Sequence, residues 1–216
     1  IKSYKLITNA HLRENDQRNH ISKGLNNAKD DDLILISDVD EIPNFESIDL
    51  KKIKNQIIMF EQSIFYYKLN RYLPNFTWYG TKGCKKKYLK SPQWLRNIKS
   101  KRFLFWRLDT LFSDTKYINK YFVKNGGWHF SNLKNADKLE LKLKSYLHHR
   151  DYEVEELGIK KIDELIKNNL TIYDMFGDKT SKKYGDDKRK KLEKYEFNNL
   201  PEFIKQNKDR LEQWID

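Results

Sequence analysis

The sequence predicts an α/β fold, with strands concentrated in the first two thirds of the chain and helices in the last. Three observations predict it. A polar segment with apolar residues at helical spacing, Arg13 to Ala28, leads into the short continuous apolar run Leu33-Ile34-Leu35-Ile36. The stretch from Gln56 to Asn70 is crowded with β-branched and aromatic residues. From Ala136 onward, apolar residues recur three and four apart.

Taken in order, Ile21, Leu25 and Ala28 mark the apolar face of the first helix. The acidic turn Asp30-Asp31-Asp32 follows, then Leu33 to Ile36, whose unbroken apolar character predicts a strand buried on both faces. Pro43 ends this segment, and Phe45 to Asn55 is expected to form a short helix with Ile48 and Ile53 turned inward. QIIMFEQSIFYYKLN, Gln56 to Asn70, predicts one or two strands. Trp78 to Lys90, aromatic, basic and punctuated by glycine, predicts a loop or hairpin, and Phe103 to Trp106 a further strand. Gly126-Gly127 is expected to interrupt the chain before Trp128-His129-Phe130, which alternates like a strand edge. Helices are expected over Ala136 to His149, Ile159 to Asn169 and Pro201 to Trp214. Neither a repeat nor a low-complexity linker divides the chain, so residues 1–216 are expected to be a single domain.

Composition bounds the function. The 43 Lys and Arg exceed the 31 Asp and Glu, for a net charge of +12. A mean hydropathy of −0.90 alone would suit a disordered chain. The 12 Phe, 13 Tyr and 5 Trp argue against that, because disordered chains are poor in such residues. Cys84 is the only cysteine, which excludes an intrachain disulfide framework and a cysteine-based zinc site. No apolar run is long enough to span a bilayer. The positive charge is compatible with nucleic acid, anionic lipid or a phosphorylated substrate, but lysine is spread along the chain rather than gathered in a block.

The sharpest chemical feature is Ser37-Asp38-Val39-Asp40-Glu41, directly after the apolar strand. In an extended segment, residues two apart face the same side, so Asp38 and Asp40 are expected to share one site at the strand's C-terminal end. Ligands of open α/β sheets bind there. Two hard carboxylates favour Mg²⁺ or Mn²⁺, with positions left for substrate phosphates. The EF-hand spacing of glycine and glutamate does not follow. Gly126-Gly127-Trp128-His129-Phe130-Ser131 adds glycines that admit close backbone approach and, in His129, a candidate third metal ligand. Arg18 offers a fork of donors for a phosphate, and Asn19 an amide for a base or ribose edge. The tract Lys82 to Lys90 reads as a solvated or anion-binding rim, and His148-His149 point different ways on a helix. These residues also suit a metal-dependent nuclease or phosphohydrolase, or a basic nucleic-acid-binding module without catalysis.

The segment QRNHISKGLNNAKDDDLILISDVDEIP, Gln17 to Pro43, together with GGWHFS, Gly126 to Ser131, resembles glycosyltransferase family 17. The similarity continues through KLKSYLHHRDYE and GIKKIDELIKNNLTIYDMFGD. The resemblance implies a GT-A-like nucleotide-sugar-binding sheet flanked by helices, with a helical C-terminal third. It implies a UDP-sugar donor, UDP-N-acetylglucosamine first, inversion at the anomeric carbon, and a carbohydrate or glycoconjugate acceptor rather than nucleic acid. Asp38, Asp40 and His129 are then the expected ligands of Mn²⁺ or Mg²⁺. Arg18, Asn19, Asp38, Gly127 and Trp128 are expected at the donor, and Asp38, Asp40 and Glu41 in catalysis. Glu41, Asp109, Asp114 and Asp151 are candidate bases, and Trp78, Tyr79 and Trp128 candidate sugar platforms. Relative to family members, an upstream strand and helix are expected to be missing, and the lack of a Golgi-type anchor leads to the expectation of a bacterial or viral cytoplasmic enzyme.

Overall fold

The computed structural model describes residues 2–50, 53, 57–101, 106, 108, 112–116, 118–145, 152–153, 155–175 and 189–216. In chain order these form helix α1 (Lys2–Asn19) with a 3₁₀ turn at His20–Leu25, then strands β1 (Leu33–Ile36), β2 (Glu41–Pro43), β3 (Ile57–Phe65), β4 (Arg71–Tyr72) and β5 (Trp78–Lys85). Helix α2 (Pro92–Asn97), strand β6 (Lys120–Phe130), helices α3 (Ala136–Ser145) and α4 (Gly158–Lys167), strand β7 (Glu193–Lys194), and helices α5 (Glu202–Gln206) and α6 (Lys208–Leu211) follow. The fold is α/β, as the sequence predicts. Its chain packs as two units, Ile1–Gln62 with Tyr79–Gly127, and Ser63–Trp78 with Trp128–Asp216.

In the first unit β5 lies between β1 and β3, and β6 between β3 and β2. Strands β1 and β5 are antiparallel, with Ile34 opposite Cys84 and Ile36 opposite Lys82. Ile34, Ile36, Ile57, Met59 and Cys84 pack with Trp94, Leu95 and Ile98 from the α2 region. On the other sheet face, Ile58, Phe60 and Val123 form a second cluster, joined by Leu33, Leu35, Ile48 and Ile53. Burial on both faces therefore belongs to β3, where Ile57 to Phe60 are all buried. In β1 only Ile34 and Ile36 are fully buried, because β1 stands at the end of the strand order and its second face is only partly covered. Cys84 is a core residue, and burial pushes its thiol up to about 11.

Several boundaries differ from the sequence reading. The first helix begins upstream of Arg13 and gives way at Asn19 to a 3₁₀ turn that contains Gly24, a poor helix former. Of the short helix expected over Phe45 to Asn55, the described residues show a 3₁₀ turn at Phe45–Ser47 with Ile48 and Ile53 packed inward, while residues 51, 52, 54 and 55 lie outside them. Trp78 to Lys85 is a regular strand rather than a loop. Its Gly80 makes room for neighbours instead of a turn, since a Cβ there would stand 2.5 Å from the Glu41 carboxyl carbon. Strand β6 runs straight through Gly126-Gly127. At Gly127, with φ of 134°, a Cβ would meet the Asn44 amide at 2.9 Å, so this glycine admits the chain around β2. The expected strand at Phe103 to Trp106 lies outside the described residues except for Trp106.

In the second unit β4 lies between the end of β3 and β7. Tyr66 and Tyr67 are buried among Ile64, Leu73, Leu139 and Ile162. Tyr67 holds a positive φ of 63° and donates its hydroxyl to the Leu170 carbonyl at 2.7 Å. Phe65, Phe130, Leu200 and Ile204 form the other cluster of this unit. Helices α3 and α4 fall where the periodicity places them, residues 146–149 at the expected end of the first lying outside the described residues, and the last predicted helix is broken into α5, α6 and a 3₁₀ turn at Glu212–Trp214. The final third also contains β7 and a bridge between Leu170 and Lys191, so it is not purely helical. Among the described residues no helix is long and apolar enough to cross a membrane.

Candidate functional site

The strand β1 delivers the chain to Ser37 and then into a turn rather than an extended run. Glu41 N donates to the Asp38 carbonyl at 3.0 Å, and Asp38 N donates to Glu41 Oε2 at 3.0 Å. This double closure breaks the two-residue alternation expected of Asp38 and Asp40, because Asp is a turn former and Glu41 folds back on the turn it ends. Val39 stands fully exposed at the tip, Asp40 is half-buried, and Glu41 is buried.

Two arginines from distant elements close on this turn. Arg18, in the last turn of α1, reaches Asp38 Oδ1 at 3.4 Å, and it also holds Glu14 Oε1 at 2.9 Å and Gln93 Oε1 at 2.8 Å. Arg96, on α2, reaches Asp38 Oδ2 at 2.6 Å and Glu41 at 2.9 and 3.1 Å. Helix α2 is set by sequence at both ends. Ser91 Oγ accepts from the Trp94 amide at 3.1 Å as N-cap, and Pro92 occupies the first helical position. Asn19 Oδ1 accepts from the Gln93 amide at 3.1 Å, a second cap on the same end. At the other end Lys82 Nζ donates to the carbonyls of Arg96 and Ile98, both at 2.6 Å. Burial, then the charge of Arg96, lowers Lys82 to about 7.

Of the remaining expected site residues, Tyr79, Asp114 and Gly127 belong to the first unit and Trp78, Trp128 and His129 to the second. Gly127 ends the first unit. Trp128 donates its indole N–H to the Asn199 carbonyl at 3.0 Å and packs with the Phe130 and Leu200 cluster. His129 is buried, with its ring 4.8 Å from that of Trp78. Tyr79 packs on Phe122 in the first unit. Asp114 is exposed and pairs with Lys90 at 3.3 Å, while Asp109 and Asp151 lie outside the described residues. Among the described residues no three His, Cys, Asp or Glu side chains form a group that holds a metal ion. A hard divalent cation can be held by one or two carboxylates with substrate oxygens completing its shell; at this turn both Asp38 oxygens face guanidinium groups, Oδ1 that of Arg18 and Oδ2 that of Arg96.

The sequence profile of glycosyltransferase family 17 matches residues 2–214. The chain belongs to glycosyltransferase family 17. No curated protein and no solved structure matches it. As a family 17 member it is a glycosyltransferase, an enzyme that moves a sugar from a donor to an acceptor. In this chain the turn after β1 is where carboxylates and guanidinium groups come together. Arg96 and Gln93 are not among the expected site residues, and Lys82, expected on a solvated or anion-binding rim, is buried instead. The Ser91-Pro92 helix start is a readable signal for the element that carries Arg96, but nothing local points that element at Asp38.

Proposed function

We propose that the chain transfers a sugar, N-acetylglucosamine first, from a UDP-sugar to a hydroxyl of a carbohydrate or glycoconjugate, with inversion and with Mn²⁺ or Mg²⁺. The observation that carries the reading is the acidic turn after β1, set against Arg18 and Arg96 in a family 17 chain. Asp38 and Asp40 would hold the cation, whose chemistry is to offset charge developing on the departing UDP. Arg18 adds a forked donor for the diphosphate, and its three present partners keep it aimed at the turn. Leaving-group stabilisation is the largest contribution in this scheme. The base that takes the acceptor proton must reach an exposed hydroxyl, which favours an accessible acid such as Asp114 over the buried Glu41.

Calorimetric titration with UDP and with UDP-N-acetylglucosamine, in Mn²⁺ and in EDTA, tests the scheme. Wild type should bind in Mn²⁺ only, and Asp40→Ala should weaken binding by about 100-fold or more. Binding of no UDP-sugar by the wild type, or equal binding by Asp40→Ala, rejects it.

A further inference from the structure

The Asp38–Glu41 turn hangs on Arg96. The Arg96 side chain is 11% exposed and that of Glu41 0%, so their ion pair is withdrawn from water. Arg96 Nη1 meets Glu41 Oε2 at 2.9 Å while Nη2 meets Oε1 at 3.1 Å, a two-pronged fork that lysine cannot reproduce. The same Nη2 holds Asp38 Oδ2 at 2.6 Å. Glu41 then passes the constraint to the backbone by accepting the Asp38 amide. Gly80 keeps the space open for the Glu41 carboxyl and accepts a bond from Arg96 through its carbonyl. Lys82 holds the helix end from which Arg96 projects.

We propose that Arg96 is a positioning residue that fixes the shape of the Asp38–Glu41 turn, and through it the aim of Asp38 and Asp40 at the donor. Glu41 is the second half of this clamp rather than a base. The part of the proposal that concerns the donor rests on the transferase reading above.

The test compares wild type with Arg96→Lys, which keeps the charge and loses the fork. Two readouts are taken: hydrogen–deuterium exchange of the Asp38 and Glu41 amides, and titration with UDP-N-acetylglucosamine in Mn²⁺. In the variant both turn amides should exchange about tenfold faster, with those of Ile34 and Ile36 unchanged, and donor affinity should fall about tenfold. Unchanged exchange at the turn overturns the proposal whatever the donor does. A loosened turn with unaltered donor affinity overturns its link to the donor. A loosened turn in a protein whose wild type binds no nucleotide sugar upholds the clamp and rejects the proposed UDP-sugar donor instead. Should Arg96→Lys fail to fold, the pair Arg96→Gln with Glu41→Gln, which leaves no buried charge unpaired, takes the same two measurements.

Discussion

Lys82 is a residue whose chemistry departs far from its type. Its ammonium is folded into the first unit against two carbonyls, and burial together with Arg96 lowers it from 10.5 to about 7. In the unfolded chain the amine keeps its proton to about pH 10.4. Between those values the unfolded chain binds more protons than the folded one, so the contribution of Lys82 to stability rises with pH from about 7 towards 10 and is least favourable below 7. Lys82→Met removes this dependence. Stability of wild type minus variant, from urea titrations at about pH 7 and about pH 9, should therefore climb by at most ~1.4 kcal/mol per pH unit. A difference that stays level across the window would show that the two carbonyls keep the ammonium charged despite its burial.

At the scale of elements, α2 is six residues long and would not hold its shape alone. Ser91, Asn19 and Lys82 supply hydrogen bonds to its ends, and Trp94 and Leu95 anchor it in the apolar cluster beneath β1. Ser91→Ala should lower stability by about 1 kcal/mol, read by urea unfolding. Because α2 carries Arg96, the same substitution should also weaken donor binding, by a smaller factor than Arg96→Lys. Strand β5 shows how an element can be hidden in sequence. Its glycines signal a turn by composition, yet Gly80 is where the Glu41 carboxyl lies against the strand.

For the whole chain the question is what the net charge of +12 does. Much of the lysine tract after β5 is already paired. Lys85 and Lys87 both meet Asp31 at 2.9 Å, and together they hold its carboxyl down to about 2. Lys90 meets Asp114. A paired, exposed tract gives diffuse attraction to polyanions rather than a specific site. Binding to duplex DNA should thus be lost between about 50 mM and about 200 mM salt, and Asp40→Ala should leave it unchanged. Tight, salt-resistant binding in a fluorescence anisotropy titration would instead show a specific nucleic-acid site on the chain.

The α/β class, β1, β3, α3, α4 and the acidic segment at Asp38–Glu41 were legible in sequence because each rests on residues near one another in the chain. Periodicity reports which side chains can share a face, and Leu33 to Ile36 followed by acids is readable without knowing any partner. The content of the site was less legible. Asp38 and Arg96 are 58 residues apart in the chain, and their meeting depends on β1 pairing with β5 in one register and on α2 being capped at both ends. The same holds for Glu41, which reads as a free acid in sequence and becomes a buried partner of Arg96 once Gly80 lies beside it. Local pattern thus set the elements and named the acids. Folding chose their partners, because an ion pair between distant residues depends on register, burial and the geometry of both side chains, none of which is a property of a short stretch of sequence.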